Sequence, residues 1–275
     1  MNSAESLKAK IKNYENKNDI KQGVVFRTYM ADRFLERVSQ SKYKKNFVLK
    51  GGLLIASIVG LPERATMDID ATIVHRSLTS QSLLEMVNEI IAIDLNDGVT
   101  FTIQKITPIR EDAQYSDFRI SLEAWFENIV VALKLDLTTG DVITPEAIEY
   151  KYPLILEDRS ITIYGYAMET VLAEKFETVL RRSTLNTRMK DFYDIYVFII
   201  VRKSIDIDLF TEALKATSAN RGTISNIRVA EAIISSIYNS VEMRKRWENF
   251  QTTDEYASDA TWEQVVDCLN ELAKL

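Results

Sequence analysis

Residues 50–73 read KGGLLIASIVGLPERATMDIDATI. This stretch decides the fold, because three elements follow one another in it. Lys50-Gly51-Gly52 opens onto an apolar run as long as a short helix, and a strand carrying Asp68-Ile69-Asp70 comes next. Side chains alternate faces along a strand, so Asp68 and Asp70 point one way while Met67, Ile69 and Ala71 point the other. Two carboxylates on one sheet face repel, and they are costly unless a cation sits between them. Hard carboxylate oxygens with room for water suit Mg²⁺, which commonly takes one or two carboxylates plus substrate phosphates. Glycine lets backbone N–H groups approach closely, and a helix N-terminus favours a phosphate. One short segment therefore offers a place for a metal and a place for a polyphosphate. Taken singly, an Asp-x-Asp is also what a solvated strand face looks like, and a Gly-Gly what a turn looks like. Their order is the informative part.

Working outward, Phe47-Val48-Leu49 reads as a short buried strand feeding Gly51. Upstream, residues 3–14 read as a short helix. Asn18 or Asp19 is placed to cap a second, longer one that runs to Val38 on the spacing of Ile20, Val24, Ala31, Phe34, Leu35 and Val38. The basic tract 41–45 is a loop. Downstream, Ser82 and Glu85 have the spacing of a capping box for a helix ending near Ile93. Asp97-Gly98 signals a turn, and 99–103 alternates as a strand. Residues 118–125 and 129–137 form an expected antiparallel hairpin about Glu127-Asn128. Gly140 starts a loop that passes Pro145 and Pro153, and 161–163 is a last short strand. From about Ala167 helical patterns dominate. The expected class is α+β, with a mixed sheet and flanking helices over 1–165 (1–45 a helical lead-in) and an all-helical bundle over 166–275.

Composition narrows the chemistry. The 275 residues are 46% hydrophobic, enough for a good core, and contain one cysteine and one histidine. Cys268 alone excludes a disulfide framework and a cysteine zinc site. His75 alone makes zinc–histidine chemistry a poor fit, and no Gly-x-Ser-x-Gly elbow is present for a serine triad. The polar start of the chain has no signal-peptide core and no run reaches membrane-span length, so a cytoplasmic protein with no membrane partner is expected. A net charge of -6 gives no global nucleic-acid signature. Arg244, Lys245 and Arg246 beside Trp247 offer a local one, by charge and stacking, or else a helix end packed on an aromatic.

The 50–73 segment resembles motif I of the DNA-polymerase-β-like nucleotidyltransferases. It is most similar to the AbiEii/AbiGii toxin family, whose pattern is Lys-Gly-Gly, a helix, Gly, then Arg-x-Ser/Thr-x-Asp-Ile-Asp. Here that is Lys50-Gly51-Gly52, Gly60, Arg64, Thr66 and Asp68-Ile69-Asp70. Many members of the wider superfamily carry Gly-Ser where this chain has Gly52, so a hydroxyl for the phosphates is counted as missing. In these enzymes a third carboxylate comes from a later strand beside the Asp-x-Asp strand. Asp136, in Ala132-Leu133-Lys134-Leu135-Asp136-Leu137, takes that role by elimination and by likeness. Gly140-Asp141 matches a following family element and is read as loop structure.

On the helix 167–182, Lys175 falls within the apolar face of Met168, Val171, Leu172, Phe176 and Val179. A lysine there is expensive unless it snorkels or meets an anion. Glu174, Glu177 and Arg181 fall on the polar side and read as surface. Ala173-Glu174-Lys175 and Arg182 match the family's third motif, which implies a phosphate-binding lysine. Residues 186–196, Asn186-Thr187-Arg188-Met189-Lys190-Asp191-Phe192-Tyr193-Asp194-Ile195-Tyr196, resemble the fourth. Asp191 and Asp194 share a helix face. By the likeness Asp191 faces the active cleft, expected between the two halves, and Asp194 pairs with Lys175 or Arg182.

The resemblance implies a Mg²⁺-dependent nucleotidyltransferase, with Mn²⁺ as an alternative metal. Asp68, Asp70 and Asp136 would hold the metal, and Lys175 and Asp191 complete the catalytic set. Lys50, Gly51, Gly52, Arg64, Thr66, Lys175, Arg182 and Asp194 would bind or support an NTP. It further implies the toxin of a toxin–antitoxin pair in phage defence, with a cognate antitoxin as partner and RNA, tRNA above all, as acceptor. A protein hydroxyl as acceptor and a degenerate NTP-binding scaffold stand as alternatives.

Overall fold

The computed structural model describes residues 3–66, 68–76, 78–109, 117–202 and 205–275. Met67 lies outside them. The chain divides into two compact units, Met1–Asp141 with Ala147–Gly165, and Val142–Glu146 with Tyr166–Leu275.

The first unit is built on a mixed sheet of seven strands among the described residues. In chain order these are β1 (Phe47–Lys50), β2 (Asp68–Ile73), β3 (Val99–Pro108), β4 (Phe118–Phe126), β5 (Ile129–Thr138), β6 (Ile148–Pro153) and β7 (Ser160–Gly165). Their spatial order is β3-β4-β5-β2-β1-β7-β6. β2 sits at the centre, parallel to β5 and antiparallel to β1. Alternation sets one face. Leu133, Leu135 and Leu137 of β5 are buried, as are Ile69, Ala71 and Ile73 of β2. The intervening positions carry the polar groups.

Four helices of the described residues complete this unit: α1 (Ala4–Asn18), α2 (Gln22–Gln40), α3 (Gly51–Val59) and α4 (Ser80–Ile91). The apolar face of α2 packs on the sheet. Phe34 meets Phe47 and Phe101 edge to face at 6.1 and 6.0 Å. Burying one such ring contributes roughly 1.5–3 kcal/mol. Arg37 fixes the same helix to the start of β3 with a two-pronged ion pair to Asp97, both bonds 2.9 Å, and a bond to the Val99 carbonyl.

Several local expectations are corrected. Asp19 does not cap α2. It ends α1 in a left-handed conformation (φ 50), and α2 starts after Lys21 without a side-chain cap. The capping box of α4 is formed by Thr79 and Ser82, because the helix starts at Ser80. β3 runs on to Pro108, since β4 pairs with it along its length through one irregularity. The stretch expected as loop contains β6, an edge strand paired only with β7. Pro153 ends it, where a missing N–H costs no ladder bond.

The second unit is helical. α5 (Met168–Arg182), α6 (Met189–Arg202), α7 (Ile207–Asn220), α8 (Ile224–Ile227), α9 (Ala230–Asn239), α10 (Val241–Thr253) and α11 (Trp262–Ala273) follow in order. α5 packs against α6 and α7, and α11 against α6 and α9. Trp247 is buried against Phe250 and Trp262, and its indole N–H donates to the Ala260 carbonyl at 3.0 Å. That occupies the ring expected as a stacking platform. Arg244 pairs with Glu263, and Arg246 donates to the carbonyls of Thr184 and Asn186. The aromatic is packed as the alternative reading had it, but the basic group lies in the first half of α10 and not at its C-terminal end. No helix of the described residues is long and apolar enough to cross a membrane.

Candidate active site

The sheet register lines up four charged residues in one transverse row. Lys50 on β1 is the partner of Asp70 on β2, Asp70 is the partner of Asp136 on β5, and Asp136 is the partner of Arg119 on β4. Two carboxylates therefore lie between two cations. Asp68 stands two residues from Asp70 on the same face, opposite Lys134. The parallel pairing of β2 and β5 is what places the third carboxylate beside the first two.

Each cation of the row is engaged. Arg119 grips Asp136 with both prongs of its guanidinium, Nε to Oδ1 at 2.7 Å and Nη2 to Oδ2 at 2.6 Å. Lys50 turns to Asp141 and donates to the Thr138 hydroxyl at 2.7 Å. Asp141 also accepts from Thr138 and from Thr72, the latter at 2.9 Å. Burial disfavours its charge, but Lys50 and the two hydroxyls outweigh this and hold the carboxyl below its usual range. Lys50, expected among the nucleotide-binding residues, is thus paired with Asp141 beside Asp70.

Asp70 has the opposite balance. Burial pushes its carboxyl up, Lys50 pulls it down, and the charges of Asp136 and Asp68 push it up again, with a net rise. Gly51 and Gly52 press against it. Gly51 has φ +66, and a Cβ there would run into the Asp70 carboxylate. The Gly52 N–H, at the start of α3, points to Asp70 Oδ2 at 3.4 Å. Gly60, with φ 105, stops the helix one residue past Val59.

Arg64 and Thr66 arrive at the same place. A Cβ on Gly52 would lie 2.6 Å from Thr66 Oγ1 and 3.4 Å from Arg64 Nη2. Arg64 is buried, and its Nη1 donates to the Ala65 carbonyl at 2.6 Å. A hydroxyl thus stands beside the glycine pair after all. It comes from the loop before β2 and not from the start of α3, and it fills the space that a serine at 52 would need.

In the helical unit, Lys175 sits between two buried carboxylates, 2.9 Å from Asp191 Oδ1 and 2.7 Å from Asp194 Oδ2. The anion that its apolar helix face demands is provided within the unit. Arg188 Nε binds the other oxygen of Asp191 at 2.7 Å. Burial opposes the charge on Asp191, yet Lys175 and Arg188 prevail and keep its carboxyl below the usual range. Arg182, at the end of α5, has its Nε buried with no hydrogen-bond partner. Glu177 corrects an expectation. It is buried and bonded by Arg181, Arg221 and Thr223, because the end of α7 folds over it.

Sequence reasoning missed Arg119. The signal was present in the hairpin. Seven residues back from Phe126 and seven on from Ile129 reach Arg119 and Asp136, which the turn at Glu127-Asn128 makes cross-strand partners.

The donor chemistry of Asp68, Asp70 and Asp136 fits a hard divalent cation. Among the described residues no three acidic, histidine or cysteine side chains form a ready-made ligand shell. Asp136 has both of its oxygens turned onto Arg119. His75 is exposed at the end of β2, and burial pushes the Cys268 thiol up to about 12, so neither offers a nucleophile or ligand here.

A family model described as "Nucleotidyl transferase AbiEii toxin, Type IV TA system" matches residues 33–268. No curated protein sequence matches. Two solved structures are similar in fold. One is of a candidate nucleotidyltransferase from H. pylori, at 14% identity and TM-score 0.53, covering 93% of this chain and 95% of that one. The other is of JHP933 from Helicobacter pylori, also at 14% identity and TM-score 0.53, covering 93% and 92%.

Proposed function

Because this chain belongs to the AbiEii nucleotidyl transferase toxin family, we propose that it moves a nucleoside monophosphate from an NTP to a hydroxyl of RNA, tRNA in the first instance. The acceptor oxygen bonds to the α-phosphorus, the bond to the β-phosphate oxygen breaks, and pyrophosphate leaves. Asp68, Asp70 and Asp136 would hold Mg²⁺, or Mn²⁺ in its place, which would supply charge to neutralise the triphosphate and to favour ionisation of the attacking hydroxyl.

The residues of this chain supply the rest by position and charge. Gly51 and Gly52 present backbone N–H groups at the N-terminus of α3 to the phosphates. Thr66 adds its hydroxyl and Arg64 its guanidinium at the same place. Lys50 places a positive charge beside Asp70 from the β1 side. In the helical unit, Lys175 is assigned to the phosphates, with Asp191 and Asp194 fixing its ammonium and Arg182 as a further cation. The observation that carries this reading is the register of Asp136 opposite Asp70, beside Gly51-Gly52. Membership of a type IV toxin–antitoxin family supports a cognate antitoxin as partner.

The test is label transfer. The protein and its Asp68→Ala variant are incubated with each α-labelled NTP, Mg²⁺ and total RNA, then run on a denaturing gel with a protein lane. Label in a tRNA-sized band, lost in a folded Asp68→Ala protein, is the expected result. Full transfer by that variant refutes the assignment. Label on the protein lane moves the acceptor to a protein hydroxyl, a reading that the net charge of -6 favours over a large RNA footprint.

A further inference from the structure

Two arginines in the first unit make the same fork on an aspartate, and they differ in one respect. Arg37 holds Asp97 with a side chain 2% exposed, locked under Phe101 and bonded to two carbonyls besides. Arg119 holds Asp136 with a side chain 43% exposed, while Asp136 itself is 18% exposed. The first fork is part of the core. The second closes over a carboxylate from the solvent side and has room to leave.

Its place in the row shows what it does there. Asp68, Asp70 and Asp136 lie on one sheet face, and Lys50, the other cation of the row, is committed to Asp141. A planar guanidinium with two parallel bonds is the strongest monovalent substitute that a protein has for a cation on a carboxylate. It uses both oxygens of the residue that a metal would need.

We propose that Arg119 is a further residue of this site, a resident cation that holds Asp136 in place and is displaced from it when a divalent metal binds. This inference rests on the metal reading of Asp68, Asp70 and Asp136 given above. Arg119 keeps the third carboxylate ordered in its position beside Asp70, so that the ligand is already placed when the metal arrives. The same grip lowers the apparent affinity of the site for the metal by the fraction of molecules in which it is open. Once displaced, the guanidinium remains tethered on β4 beside the row, a planar donor suited to phosphate.

The experiment measures Mn²⁺ binding from the free-ion EPR signal, without nucleotide. It compares the wild-type protein, Arg119→Gln, Arg119→Lys, Asp136→Asn and the double variant Arg119→Gln/Asp136→Asn, with circular dichroism melts confirming that each is folded. Arg119→Gln is expected to bind Mn²⁺ about 3- to 10-fold more tightly, the range set by the strength of a partly exposed fork. Arg119→Lys, which keeps the charge and loses the fork, falls in between. In the Asp136→Asn background the gain shrinks to less than about 2-fold, because the competition has been removed. Unchanged or weaker binding by both Arg119 variants overturns the proposal and leaves the proposed function standing. An equal gain with and without the Asp136 carboxylate also overturns it, since that is a diffuse charge effect. No Mn²⁺ binding by any of the proteins overturns both this proposal and the metal reading on which it rests.

Discussion

Replacing Gly51 by alanine tests the geometry of the site independently of any reaction. Gly51 has φ +66, and an added Cβ would meet Asp70 Oδ2, with Asp70 Cβ and Cγ each 2.7 Å away. The left-handed backbone costs a non-glycine residue roughly 1–2 kcal/mol. Overpacking against fixed atoms adds roughly 1–3 kcal/mol. The stiffer unfolded chain returns roughly 0.4–1 kcal/mol. The expected net loss is about 3 kcal/mol, and the two parts are separable. Asp70→Gly removes every atom that the new methyl would strike and leaves the backbone term alone. Urea unfolding of the two single variants and the double therefore yields a coupling of about 1–3 kcal/mol, the alanine costing less when Asp70 is absent. An alanine variant as stable as the wild type would refute the geometry. An equal loss in both backgrounds would refute the contact with Asp70 and leave only the backbone argument.

Two further outcomes follow from buried charge. Lys175→Met leaves Asp194 buried without its ammonium, so stability should fall by roughly 3–5 kcal/mol, and adding Asp194→Asn should recover part of it in urea unfolding; an unchanged midpoint for Lys175→Met would contradict the buried triad. Asp32 is buried, accepts from the Tyr152 hydroxyl at 2.9 Å and the Ile155 N–H at 2.7 Å, and is pushed up to about 7 chiefly by burial. An unfolded aspartate loses its proton near ~3.9, so between there and about 7 the native state binds more protons and this group's contribution to stability declines as pH rises. Asp32→Asn should flatten that decline, and melting temperatures measured from pH 4.5 to 7.5 that keep the wild-type slope would count against it.

How much was legible depended on whether the signal was local. Alternation along 68–73 and 132–137 put the three aspartates on polar faces, and the turn at Glu127-Asn128 located the hairpin. Lys175 on an apolar face required an anion, and the structure has Asp191 and Asp194 there. β6 was missed although Ile148, Tyr150 and Tyr152 alternate with Glu149 and Lys151, because the run is short, only Tyr152 is buried, and Pro145 and Pro153 on either side read as loop. Glu177 was taken for surface because a helical wheel knows nothing of α7. Thr66 was credited by likeness alone. Its relation to Gly52 depends on how the loop after α3 folds back, which no spacing records. Arg119 was within reach of counting along the hairpin and was overlooked because its own strand showed only a polar residue in a polar position.

The parallel pairing of β2 with β5 also sets a clock. Asp70 leaves the ribosome with its glycine pair long before Asp136 does, and at about 5–20 residues per second the intervening chain takes several seconds to appear. During that time β3, β4 and the first part of β5 must be made and folded back before β5 can lie beside β2. A nascent chain that stops short of Ile129 carries two carboxylates and no third. For a toxin, this order of assembly means that translation must pass the middle of the chain before the carboxylate row exists, so prematurely terminated products are born without it.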